Sequence, residues 1–211
     1  MKIEMILKEG YLYILTSLGL FLISLLFDFN VFWQLLFFIV FCFFVYFFRN
    51  PERVPEDSSK NAIISPSDGE IIEIREAIAP IINEKMIKIS IRLSLFDVHV
   101  QRAPIDSKIT TKEYIHGMFL FLSDKKASEL NEQNRVLFEG LNKVVVNQIA
   151  GFITRRIVDF GCKEVKLSQR YGMIIFGSQV DLYIPKDSKI MITEFQEVKA
   201  GESLIGFLNE N

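Results

Sequence analysis

The chain has 211 residues, half of them hydrophobic, with 24 Lys and Arg against 26 Asp and Glu and a net charge of -2. That length holds one globular domain and an appendage. The near-neutral balance excludes the clustered positive charge of a nucleic-acid surface, and two cysteines and two histidines exclude a disulfide framework, a zinc or haem spacing and a histidine-rich metal site.

The apolar excess is local. Tyr11 to Phe27 and Val31 to Phe48 carry no charged residue, and each run is close to the shortest helix that crosses a bilayer, about 17 residues. Only Asp28-Phe29-Asn30 separates them, so residues 1–48 are expected to form an α-helical membrane hairpin that either spans the bilayer or enters it shallowly. Lys2 and Lys8 before it and Arg49 and Arg53 after it place both ends on the cytoplasmic side of a cell membrane. A signal peptide is disfavoured, because no small-residue cleavage site follows the first run and a second begins at once.

Residues 49–61, with Pro51, Pro55 and alternating charges, read as an extended juxtamembrane linker. Residues 62–211 are expected to form one β-rich domain, a sandwich or barrel with short helices. Its strand-like runs are Ala62 to Ser65, Gly69 to Glu76, Met86 to Leu95, Lys108 to Tyr114, Arg135 to Glu139, Lys143 to Gly151, Gly172 to Ile184 and Lys189 to Glu194. Asp124 to Glu132 suggests a helical turn, and Phe152 to Asp159 is ambiguous between helix and strand.

Several residues sit where patterning puts chemistry. In Ile174 to Pro185, alternation assigns Ile174, Phe176, Ser178, Val180, Leu182 and Ile184 to one face, so Ser178 points inward among core residues. Gly177 beside it lets a nucleophile approach the backbone, although a small residue at a strand kink would look the same. From Ile87 to Leu95 the apolar parity runs on to Asp97 and His99, a pair that serves either structure or proton transfer. Asp68 in Ser65-Pro66-Ser67-Asp68-Gly69 reads alone as an ordinary turn. Arg102 has the fork that suits a phosphate or carboxylate. Arg155 and Arg156 suit a solvated face or phospholipid headgroups, and His116 reads as structural or surface.

Together these segments resemble the phosphatidylserine decarboxylase family in its short membrane-associated form. The matching stretches are Phe47-Phe48-Arg49-Asn50-Pro51, Ser65 to Gly69, Phe96-Asp97-Val98-His99-Val100 with Arg102-Ala103-Pro104, Asn134-Arg135, Gln148-Ile149-Ala150-Gly151, Arg155-Arg156-Ile157 and Phe176 to Tyr183, in family order. Val198 to Gly206 is similar to the glycine hairpin of biotinyl and lipoyl carrier-like barrels. The resemblance implies a proenzyme that cleaves itself between Gly177 and Ser178, turning Ser178 into a covalent pyruvoyl group and leaving a large and a small chain that stay associated. In the family this carbonyl forms a Schiff base with phosphatidylserine and accepts the charge left at the α carbon when carbon dioxide departs. The resemblance further assigns Asp68 and His99 to the base machinery, and His99 to returning a proton. Partners are then the phosphatidylserine substrate and membrane lipid, with no nucleic acid and no metal, and a homo-oligomer is compatible.

Three departures stand out: Gln179 where an arginine usually follows the serine, Thr154 where alanine precedes the arginines, and Lys166 to Arg170 without the usual glycine turn. The missing arginine bears on substrate anchoring or maturation. Two rival readings remain, a non-catalytic membrane-anchored adaptor with a carrier-like β domain, and a Ser-His-Asp lipid hydrolase using Ser178 directly, whose Gly-x-Ser-x-Gly elbow is absent.

Overall fold

The computed structural model describes residues 5–118, 120, 127–152, 156–176 and 178–209, without the side chain of Ser128. The chain divides into two compact units, Met1–Glu52 and Arg53–Asn211.

The first unit is a pair of helices, α1 (Tyr11–Leu26) and α2 (Val31–Phe47). Asp28 reverses the chain at φ 50, and Asn30 starts α2 by accepting a hydrogen bond from Phe32 N at 2.9 Å. The far ends are tied together, since Leu7 N donates to Phe48 O at 3.1 Å and Asn50 N to Met5 O at 2.8 Å. The chain therefore enters and leaves at the same end. Ser17 and Ser24 are buried, their hydroxyls bonded back to Tyr13 O and Phe21 O, while Leu12, Leu15, Leu26, Phe32 and Ile39 are exposed. Small polar residues inside and large apolar ones outside invert the pattern of a water-soluble protein and suit lipid. Among the described residues one helix, Lys8–Leu26, is long and apolar enough to cross a membrane; α2 is shorter.

The second unit carries β1 (Ala62–Ile64), β2 (Gly69–Ile78), β3 (Lys85–Arg92), β4 (Val100–Arg102), β5 (Ser107–Ile115), the short α3 (Ala127–Leu130), β6 (Gln133–Glu139), β7 (Lys143–Ala150), β8 (Arg156–Asp159), β9 (Glu164–Val165), β10 (Arg170–Ile175), β11 (Ser178–Ile184), β12 (Lys189–Ile190), β13 (Glu197–Val198) and β14 (Leu204–Phe207). The largest sheet has eight strands in the order β13-β2-β3-β11-β7-β6-β5-β9, and two three-stranded sheets, β1-β14-β12 and β4-β10-β8, accompany it. The domain is mainly β, as expected. Among the described residues none of the sheets closes, so the domain is an open sandwich rather than a barrel.

β11 lies in the middle, antiparallel to β3 and β7, with Val180 opposite Ile91 and Gln148, and Leu182 opposite Ile89 and Val146. Both its faces are buried. Val180, Leu182 and Ile184 enter the main core with Ile71, Ile89 and Phe138, whereas Tyr183 joins a smaller cluster with Met86, Leu137 and Val145. The main core supplies most of the stabilisation, since each fully buried aliphatic side chain contributes about 1.5–3 kcal/mol.

Two sequence expectations need correction. The run Gly172 to Ile184 is two strands in different sheets, β10 and β11, because Phe176 adopts φ 64 and ends the extended conformation. The strand expected to run to Leu95 stops at Arg92, and a turn follows in which Asp97 Oδ2 accepts from Ser94 N at 2.7 Å. Strand parity therefore does not carry through to Asp97 and His99. The expected helix from Asp124 survives as Ala127–Leu130, with residues 124–126 outside the described set, and the ambiguous stretch contains β8, with residues 153–155 outside it. From Arg53 onward the linker lies against the second unit: Glu56 N donates to Glu202 O at 2.9 Å and Glu56 Oε2 accepts from Leu204 N at 2.8 Å.

Candidate active site

Ser178 is the first residue of β11 and is fully buried. Its alternation with Val180 and Leu182 turns it toward the main core, opposite Ala150 of β7. A hydroxyl in that position ordinarily finds a partner. Its Oγ has none among the described residues. Gly177, the other half of the expected cleavage site, lies outside the described residues, and Phe176 before it holds a left-handed backbone that costs a non-glycine residue about 1–2 kcal/mol.

His99 is fully buried just before β4, and its Nδ1 lies 2.9 Å from the backbone carbonyl of Asp97. The expected Asp97 carboxylate is therefore not its orienting group; the carbonyl is. A carbonyl only accepts, so Nδ1 carries the hydrogen and the neutral ring keeps its lone pair on Nε2. That tautomer makes Nε2 the basic atom.

Asp68 sits in the turn that enters β2. Gly69 follows at φ 138, where a Cβ would stand 2.3 Å from Arg92 O, so only glycine lets the turn press against the end of β3. Asp68 Oδ1 accepts from Ala200 N at 2.7 Å, and Oδ2 accepts from Val98 N at 3.3 Å and Arg53 Nη2 at 3.0 Å. Burial pushes its carboxyl above the usual range, and Arg53 together with the two backbone N–H groups works against that rise.

One loop joins the three residues. Leu93 N donates to Ser178 O at 3.0 Å at its start; at its end Val98 N reaches Asp68 and the His99 carbonyl accepts from Ile174 N at 3.2 Å. Segments more than a hundred residues apart thus meet at one end of β11. The arrangement offers a sheltered hydroxyl, an imidazole with a fixed tautomer and a buried carboxylate, which is a proton-transfer set.

The other candidates fall around it. Arg102, on β4, donates from Nη1 to Ser168 O at 3.0 Å and is packed under Gly201, whose φ of 71 and lack of a Cβ admit the Arg102 side chain. His116 is exposed, its ring 5.1 Å from that of Tyr114. Arg156 is exposed; Arg155 lies outside the described residues. Gln179 faces away from Ser178: its Nε2 donates to Asp181 Oδ1 at 2.8 Å, and Asp181 Oδ2 pairs with Lys88 at 3.0 Å. On that opposite face Lys88, Asp181, Arg75 and Arg135 border a separate polar cleft of about 430 Å³. Cys42 and Cys162 are free thiols.

Sequence reasoning gave two groups no place in the site. Arg53 read as a topology-setting charge, and only the fold brings it to Asp68. Gln148, opposite Val180 on the Ser178 face, is fully buried and accepts from Asn134 Nδ2 at 2.7 Å, while its own Nε2 has no partner among the described residues. A glutamine and an asparagine at core-facing parity of β6 and β7 were the signal available.

Comparison with known proteins identifies the family. A model of the family described as phosphatidylserine decarboxylase matches residues 40–206. A phosphatidylserine decarboxylase proenzyme of Geobacter sp. (strain M21) is 45% identical over 82% of this chain and 80% of its own length. That of Geotalea uraniireducens is 40% identical over 83% of this chain and 85% of its own, and that of Ehrlichia canis is 38% identical over 96% and 91%. These relatives are enzymes, so the adaptor reading gives way, and with Ser178 opening a strand rather than an elbow before a helix, so does the hydrolase. The matched span, residues 40–206, and identities of 38–45% over most of the chain make it a member of the phosphatidylserine decarboxylase family.

Proposed function

We propose that the chain cuts itself between Gly177 and Ser178, converts Ser178 into a pyruvoyl group, and uses it to decarboxylate phosphatidylserine to phosphatidylethanolamine. The observation that carries this reading is the Ser178 hydroxyl: fully buried, without a partner among the described residues, at the break between two strands. A hydroxyl left unbonded in a core is a cost of about 1–3 kcal/mol that a merely structural residue would not retain. The same enclosure fits a carbonyl made in its place, since a carbonyl there is shielded from water.

In the cut, His99 Nε2 takes the Ser178 proton, Oγ bonds to the Gly177 carbonyl carbon, and the bond to the residue 178 nitrogen breaks as that nitrogen gains a proton. Loss of the α proton of residue 178 then expels the Gly177 carboxylate from Cβ; the enamine left behind tautomerises, takes up water and releases ammonia, leaving the ketone. Asp68, held against the Val98 amide, supports positive charge on His99 while the proton is there. The Phe176 backbone adds strain next to the bond that breaks. After the cut β11 belongs to the small chain, but hydrogen bonding to both β3 and β7 keeps the two chains together.

The pyruvoyl carbonyl supplies the electron sink that departure of carbon dioxide from an amino acid requires. His99 is the group that returns a proton to the substrate α carbon. The hairpin holds the site beside substrate whose acyl chains stay in the bilayer, and the positive residues at both its ends put the catalytic unit on the cytoplasmic face.

Intact mass spectrometry tests the reading. Wild-type protein should yield two polypeptides, the smaller starting with a keto-blocked residue 178, and Ser178→Ala one uncut chain. An uncut wild type that still releases labelled carbon dioxide from phosphatidylserine would overturn it.

A further inference from the structure

Asp68 carries a charge problem that its own turn does not solve. It is buried, and its two backbone donors, Ala200 N and Val98 N, are neutral. The full positive charge against it comes from Arg53, whose fork divides between two carboxylates: Nη2 meets Asp68 Oδ2 at 3.0 Å and Nη1 meets Glu202 Oε2 at 3.1 Å. The guanidinium and the Asp68 carboxyl are almost as buried as each other, at 11% and 9% exposed, so water screens the pair weakly. Arg53 is also the first residue of the catalytic unit, and Glu202 belongs to the hairpin before β14, so the clamp joins the two ends of that unit to the turn at Asp68.

We propose that Arg53 is a positioning residue for Asp68, holding its carboxylate charged and directed at Val98 and His99 while the chain cuts itself. This rests on the function proposed above. The remaining charges near Asp68 lie one layer out. Lys199 contacts the other oxygen of Glu202 at 3.6 Å, Arg102 packs under Gly201, Glu70 and Arg92 face each other across β2 and β3, and His99 follows Val98. None of these bonds Asp68, and burial without Arg53 favours the protonated acid. An opposite charge at this distance lowers a carboxyl by about 1–3 pH units, so losing it shifts the acid arm of the self-cleavage profile upward by about that much.

Full-length chain is synthesised in a cell-free system with detergent micelles, moved to buffers from pH 5 to 9, and followed by intact mass as one polypeptide becomes two. Arg53→Gln should move the acid midpoint up by about one unit or more and slow cutting about tenfold at each pH below it. Arg53→Lys, which keeps the charge, should restore most of the rate. Glu202→Gln, which removes an anion competing for Arg53, should move the midpoint the opposite way, a signature no general loosening of the fold imitates. If Arg53→Gln does not fold, as judged by thermal unfolding, the Lys and Glu202 variants carry the test alone. An unchanged midpoint in Arg53→Gln, or a Glu202→Gln shift in the same direction as any Arg53 shift, overturns the inference. Asp68→Asn and Ser178→Ala run beside them: if both are inert while Arg53→Gln behaves as wild type, Arg53 has no such role and the self-cleavage reading stands; if both cut normally, that reading itself has failed.

Discussion

Lys88→Met tests what supports β11 from behind. Lys88 Nζ lies 3.0 Å from Asp181 Oδ2 and 3.6 Å from Glu73, and the Lys88 and Asp181 side chains are only 7% and 2% exposed. Methionine fills the same volume but leaves the Asp181 carboxylate with Gln179 as its remaining hydrogen-bond donor. Removing one partner of a buried pair costs about 3–5 kcal/mol, because the other charge stays desolvated. For a domain of this size that is roughly 6–20 °C in Tm. Asp181→Asn should cost less, since Lys88 keeps Glu73, and the double variant Lys88→Met, Asp181→Asn should recover most of the loss, giving a coupling of about 2–3 kcal/mol. Thermal unfolding is followed by near-ultraviolet circular dichroism in a Ser178→Ala background, which removes the proposed cleavage from every sample. A double variant whose loss equals the sum of the two singles would refute the claim that an uncompensated charge is the cause.

Phe176→Gly relieves the left-handed strain before Ser178; if that strain drives the cut, maturation slows by about 5–30-fold in a pulse-chase, matching 1–2 kcal/mol, with no loss of thermal stability. Gln179→Arg adds a guanidinium beside the expected cleavage site, yet position 179 faces Asp181 rather than the Ser178 side, so KM for phosphatidylserine should not change, as measured in mixed micelles. Leu20→Lys puts a charge on an exposed position in the middle of α1, where insertion of a lysine costs about 2.5–3.5 kcal/mol, and should reduce flotation with lipid vesicles while leaving the β-domain Tm unchanged.

Ser178 was legible because alternation over Val180, Leu182 and Ile184 reaches back to it from the C-terminal side. The same alternation misled when carried forward from Ile174, because a single dihedral at Phe176 breaks the run, and a positive φ at phenylalanine has no sequence signature. His99 was singled out on a strand parity that the fold breaks: its orienting oxygen is a backbone carbonyl, which composition cannot reveal. The two-residue strands β9, β12 and β13 are too short for a period of two to register, and they exist because longer neighbours offer them an edge.

Local chemistry in the sequence determined the apolar hairpin, the β-rich body and the choice of candidate groups, since hydrophobic runs, alternation and residue type are properties of neighbouring positions. Tertiary structure alone decided that Arg53, Asp68, Ala200 and Glu202 meet, that the loop from Leu93 to His99 bridges Ser178 and Asp68, and that Gln179 lies on the far side of β11. Those contacts join residues up to 149 positions apart. Which of them form depends on how strands choose partners across sheets, a competition settled by burial over the whole domain and not by any segment read alone.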